Sequence, residues 1–107
     1  MDSYQIIILP FAELDIRDSV DHYKGIEDGL DIKFIKSINT KISHISKNPY
    51  AFPVEKYDIR KAVVDKFPFC IYFVPRTDTI YIMAVFHDKR NPQIWKQRRP
   101  KTRRIIK

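Results

Sequence analysis

One histidine stands where proton chemistry could be done. His87 ends an apolar run, Ile80–His87 (IYIMAVFH), and opens a basic one, His87-Asp88-Lys89-Arg90. Imidazole is the side chain whose ordinary pKa lies nearest neutral pH, and it commonly serves as acid or base. Cleaving a phosphodiester through a ribose 2′-hydroxyl needs a base, an acid and cationic stabilisation of the phosphate. His87 together with Arg60, Lys61 or Arg90 supplies that set without a metal. The competing reading is a strand-end histidine satisfied by a backbone partner. Other chemistries lack their residues. There is no HxxxH, no CxxC and no suitably spaced carboxylate pair, so neither a metal site nor a cofactor is expected. Two glycines are too few for a phosphate-cradling loop. Cys70 lies within an apolar run with no activating base beside it and reads as core. His22 and His44 fall in helical patterns without local partners and read as surface residues. Tyr72, Phe73, Tyr81 and Trp95 could stack on bases, but aromatics in strands more often fill cores.

These residues are positioned by elements whose periods can be read. Ser3–Leu9 (SYQIIIL) is β-branched and apolar, a buried strand. Pro10 cannot continue a central strand and suits a helix start. The first helix then runs from Pro10 to Lys24, with Ala12, Ile16, Val20 and Tyr23 on one face and Gly25 as its stop. Acidic Glu13, Asp15 and Asp18 complement the helix dipole. A second helix runs from Glu27 or Asp28 to Lys47. Leu30, Phe34, Ile38, Ile42 and Ile45 form its apolar stripe, widened by Ile35, and Lys33, Lys36, Lys41 and Lys47 lie off it. After a loop at Asn48–Glu55 the period becomes that of strands. Tyr57–Val64, Phe67–Pro75 and Ile80–His87 are joined by turns at Asp65-Lys66 and Arg76–Thr79, an antiparallel meander. Alternation puts Asp58, Arg60, Ala62 and Val64 on one face and Lys61 on the other, and groups Tyr81, Met83, Val85 and His87. A short helix from Asn91 and a basic tail over residues 96–107 complete the chain.

The expected fold is α+β in the order β-α-α-β-β-β. An antiparallel helix hairpin packs on one face of a mostly antiparallel four-stranded sheet, leaving the other face for water or a ligand. Residues 1–107 read as a single domain, since 107 residues with 44% apolar and 31% charged side chains suit one folded core. One cysteine fits a reducing, cytoplasmic setting. No apolar run approaches the roughly 20 residues of a membrane span, and the N-terminus lacks a signal-peptide pattern. The net charge of +7 is unevenly placed. Residues 1–50 carry −2, residues 51–107 carry +9, and the segment from Asp88 onward alone carries +8. Such a basic half suits a polyanion or an acidic protein partner.

Two stretches resemble a known group of proteins. Arg60-Lys61 stands seven residues before Phe67-Pro68, and His87-x-x-Arg90-x-Pro92-x-x-Trp95 closes the pattern. Together with the early strand, the helix hairpin and Asn48-Pro49, they resemble the RelE/ParE superfamily of toxins from type II toxin–antitoxin modules. The resemblance implies a cognate antitoxin that wraps and neutralises the toxin. It implies one of two targets, mRNA cut on the ribosome without a metal (RelE-like) or DNA gyrase inhibited without cleavage (ParE-like). Arg60 matches the strand arginine of the ribonuclease branch, Lys61 is its close alternative, and His87 matches the histidine of some of those enzymes. In one nuclease branch a tyrosine follows that histidine; here Asp88 follows, then a basic tail. The FPxxIxF run and the HxxRxPxxW ending look more like the ParE branch. For a gyrase target, Arg90, Arg98 and Arg99 are the expected contact residues. A non-toxic basic module that binds nucleic acid is the alternative from a different class.

Overall fold

A computed structural model describes residues 3–88. Its elements are β1 (Gln5–Ile8), α1 (Pro10–Ile26), α2 (Leu30–Lys47), a 3₁₀ turn at Pro49–Ala51, β2 (Val54–Lys56), β3 (Ile59–Val63), β4 (Phe69–Pro75) and β5 (Thr79–His87). The class is the expected α+β, but the sheet has five strands in the order β1-β5-β4-β3-β2 rather than four. β1 runs parallel to β5, and every other pairing is antiparallel. The expected C-terminal helix and the basic tail lie outside the described residues.

Pro10 opens α1, where its missing N–H costs nothing. The helix passes through Gly25 and ends at Ile26, so Gly25 is not the stop. A single helical glycine costs only about 1 kcal/mol relative to alanine. The chain reverses instead at Gly29, whose φ of +85° is open to glycine without a Cβ clash. α2 buries Phe34, Ile38 and Ile45, as its stripe predicts, while Ile35 remains exposed.

The additional strand β2 comes from the segment read as loop. It joins β3 through a two-residue turn, Tyr57-Asp58, so those residues do not belong to the strand expected over Tyr57–Val64. Tyr57 takes φ +55° there. Tight hairpins of this kind usually announce themselves as Asn-Gly or Asp-Gly, and Tyr-Asp carries no such signal. β1 is shorter and less buried than expected, because it is an edge strand with β5 as its one neighbour.

The main core lies between the helices and the sheet. Phe34 is fully buried among Tyr23, Phe67 and Phe69, with ring centroids 5.1, 5.3 and 5.0 Å away. Ala12, Ile71, Phe73, Ile80, Ile82 and Val85 extend this cluster. The other face of the sheet is not open, contrary to expectation. Ile59, Cys70, Tyr72, Val74, Met83, Ala84 and Phe86 form a second buried cluster with Leu9 packed against it. All seven residues of β4 are buried, the condition that a continuous apolar run such as FCIYFVP specifies.

Candidate functional site

His87 closes β5 opposite Phe69, with ring centroids 5.5 Å apart. A bulge decides which way it faces. Tyr72 pairs with Ala84 and Phe73 with Ile82, so Met83 is an extra residue on β5. Met83 and Ala84 therefore both join the far cluster, while Val85 and His87 return to the helix side. The expected grouping of Tyr81, Met83, Val85 and His87 on one face is broken at this point.

On the helix side, α1 supplies the opposite wall. Asp15, Asp18, Ser19 and His22 line a pocket of about 200 Å³ with Phe69, Val85 and His87. Asp15 is only 8% exposed, and its Oδ2 accepts the Val85 N–H at 3.1 Å. The reason lies in the sheet edge. β1 ends at Ile8 opposite Ile82, so beyond that register a side chain from α1 takes over as acceptor. Ser19 Oγ donates to the Asp15 carbonyl at 2.9 Å. His87, with 45% of its side chain exposed, places Nδ1 3.2 Å from Asp88 Oδ1. Donation from Nδ1 to that carboxylate leaves Nε2 as the basic nitrogen. The walls carry Asp15 and Asp18, and no lysine or arginine among the described residues lines the pocket. A phosphate placed here meets carboxylates rather than cations.

Arg60 sits at the other end of the helix side. Its Nη1 donates to the Phe52 carbonyl at 2.6 Å, and its guanidinium lies 4.9 Å from the Tyr50 ring centroid. Tyr50 in turn meets Tyr4 edge-on at 6.4 Å. Arg60 pairs with Phe73, and His87 pairs with Phe69. Four residues along β4 and two strand spacings across it separate them by about 16 Å. Lys61 faces the second cluster beside Tyr72. There, burial pushes the Cys70 thiol up, the Lys61 charge pulls it partly back, and Asp88 and Glu55 push it further up. Burial, aided by Cys70, Glu55 and Asp88, raises the Tyr72 phenol to about 12. Arg60, Lys61 and His87 thus occupy three separate environments. Arg90, Arg98 and Arg99 lie outside the described residues.

The anchoring of Arg60 has a measurable consequence. Arg60→Met keeps the aliphatic stem but removes the charged donor and the ring contact. It is expected to cost about 1.5–3 kcal/mol of stability, read from the urea midpoint. A loss below about 0.5 kcal/mol would mean that the Phe52 hydrogen bond contributes nothing net.

Sequence reasoning did not assign Asp15, Asp18, Ser19 and His22 to a pocket. Their spacing of three, one and three residues puts them on one face of a helix, a signal that was present. Among the described residues, no group of three or more His, Cys, Asp or Glu side chains could hold a metal ion. No described helix is long and apolar enough to cross a membrane.

No family model matches this chain, and no curated protein matches its sequence. Among solved structures, a chain of the chromosomal ParDE TA system from P. aeruginosa is similar, at 18% sequence identity and a TM-score of 0.68. The similarity covers 79% of this chain and 96% of that one. The helix hairpin and sheet that position His87, Asp15 and Arg60 are therefore a fold that this chain shares with a ParDE system chain.

Proposed function

We propose that this chain is the toxin of a type II toxin–antitoxin module, of the ParE-like kind, held inactive in the cytoplasm by a cognate antitoxin. The observation that carries the proposal is the shared fold, which spans nearly all of the ParDE system chain. The sequence pattern around Arg60-Lys61 and His87-x-x-Arg90-x-Pro92-x-x-Trp95 points the same way. DNA gyrase is the favoured target, because the set required for RNA cleavage is dispersed. Arg60 is committed to Phe52 and Tyr50, Lys61 faces the second cluster, and the His87 pocket is walled by carboxylates. Arg90, Arg98 and Arg99 would then engage the target as surface cations.

One observation favours the second reading, a ribosome-dependent endoribonuclease. His87 beside Asp88 has the arrangement of an oriented general base. The purified chain should be added separately to a gyrase supercoiling assay and to a translating ribosome system. Supercoiling should fall and mRNA should remain whole. In cells, His87→Gln should arrest growth about as strongly as the parent chain, whereas a general acid–base nuclease would lose about 100-fold or more. Expression alone should stop growth, and co-expression of the antitoxin should restore it. Unimpeded growth at high expression would refute the toxin reading and favour the basic nucleic-acid-binding module.

A further inference from the structure

The two edges of the sheet differ in how they are protected. β2 forms one edge and is guarded in the ways that keep edge strands from pairing. Pro53 precedes it, Glu55 and Lys56 charge it, and its register is broken between Val54 and Lys56. β1 forms the other edge and carries neither charge nor bulge. Residues 3–12 contain no charged side chain. Gln5 N–H donates to the Asp78 carbonyl at 2.9 Å, and Leu9 N–H donates to the Ile82 carbonyl at 3.0 Å. Alternation therefore turns the N–H and C=O groups of Ile6 and Ile8 away from β5, towards the outside of the sheet. Among the described residues, no hydrogen bond engages the Ile6 or Ile8 N–H. The side chains beside this edge are apolar, with Ile7 40% and Ile8 37% exposed. The opening is bounded at both ends. Tyr4 N–H donates to the Ser46 carbonyl at 2.8 Å, and Pro10 begins α1.

We infer that the open edge of β1 pairs antiparallel with β1 of a second copy of this chain, about a two-fold axis at Ile7, joining the two sheets into one. In that register Ile6 and Ile8 of one copy exchange N–H···O bonds with Ile8 and Ile6 of the other, and Ile7 lies opposite Ile7. The ends of the strand select this register. Centring the axis on Ile6 would set Ile8 against Tyr4, whose N–H is already given to Ser46. Centring it on Ile8 would set Ile6 against Pro10, which has no N–H. The charge pattern selects the occupant. The edge offers neither sign to an acidic or a basic segment, whereas an identical uncharged strand leaves no charge unpaired. Two isoleucines facing each other at a non-hydrogen-bonded position form a close β-branched pair. Each copy carries +7, so the two repel at a distance and salt should favour the contact by screening them. Pairing through one short strand lies at the small, weakly associating end of interfaces, so the dimer fills only at high concentration. The inference rests on the strand edge and holds whether or not the chain is a toxin.

The test uses the full chain in sedimentation from about 10 µM to about 1 mM. The mass should rise from 12.8 kDa towards twice that value. Raising salt from about 0.05 to 0.5 M should not weaken the association. Ile7→Lys sets two like charges opposite each other and should raise the dissociation constant at least tenfold. Val54→Lys adds the same charge on the other edge and should raise it less than threefold. Amide exchange at Ile6 and Ile8 should slow as the parent chain is concentrated, while the Ile7 N–H, which faces β5, stays protected throughout. Ile7→Cys should form a covalent dimer under mild oxidation, because residue 7 meets itself, and Val54→Cys should not. The native Cys70 is buried and leaves that assay clean, which also covers any effect of Ile7→Lys on folding. A chain that stays monomeric at about 1 mM would overturn the inference. So would equal weakening by both lysine variants, dissociation by salt, exchange at Ile6 and Ile8 that ignores concentration, or no cross-link through residue 7.

Discussion

Phe34→Ala is expected to destabilise the protein by about 3–5 kcal/mol, measured by urea or thermal unfolding. Phe34 is fully buried and packs against three rings drawn from α1, the β3–β4 turn and β4. Removing it therefore opens a cavity where the helix hairpin meets the sheet. Its neighbours are stiff aromatics that cannot collapse far into the gap, which places the loss towards the upper end of the range. Domains of this size commonly have about 5–15 kcal/mol in total, so the variant should sit near its unfolding threshold at growth temperature. Growth arrest, if the chain is a toxin, should then fall with the folded fraction. Phe34→Leu should recover more than half of the loss. A cost below about 1.5 kcal/mol for Phe34→Ala would show that the ring cluster does not hold the two layers together.

The second large effect is expected at Asp15. Asp15→Ala removes the acceptor of a buried backbone N–H, that of Val85, and leaves the donor without it. Hydrogen bonds to charged groups are worth about 1.5–3 kcal/mol, and an orphaned buried donor brings a penalty of similar size, so a loss of about 2–3 kcal/mol is expected. Asp15→Asn retains a carbonyl acceptor of nearly the same shape and should lose less than half as much. Amide exchange gives an independent reading, because the Val85 N–H should lose protection in Asp15→Ala and largely keep it in Asp15→Asn. Unchanged protection in both variants would show that another group satisfies this N–H.

The architecture was legible where one physical rule governed each stretch. Pro10 marks the strand-to-helix change, and the stripe from Leu30 to Ile45 predicts the buried face of α2, because helical period and burial coincide there. The β2–β3 hairpin was illegible because Tyr57-Asp58 performs a left-handed turn with residues that do not advertise one. The composition of β4 did state that both sheet faces are buried, but a helix hairpin on one side suggested an open second side. The candidate site was harder to read for a different reason. Alternation extrapolates correctly only while the register is unbroken, and the bulge at Met83 shifts the faces of all that follows, including His87. Asp15 was read through its charge and the helix dipole. Its actual role depends on β1 ending opposite Ile82, short of Val85, a distant fact that no local window contains.

The parallel pairing of β1 with β5 also sets a schedule for synthesis. Gln5 pairs with Thr79 and Ile8 with Ile82, so the first strand made waits for the last. The helix hairpin can close as soon as both helices have emerged, since its contacts are local. The sheet cannot, because β5 lies between β1 and β4 and seals both. At about 5–20 residues per second, Gln5 precedes its partner by roughly 4–15 s. During that interval Ile6, Ile7 and Ile8 are unpaired and the fold is incomplete. Any activity that needs the finished sheet begins only after β5, through His87, has been translated, which gives a protein that recognises the segment from β1 to α2 several seconds in which to bind it first.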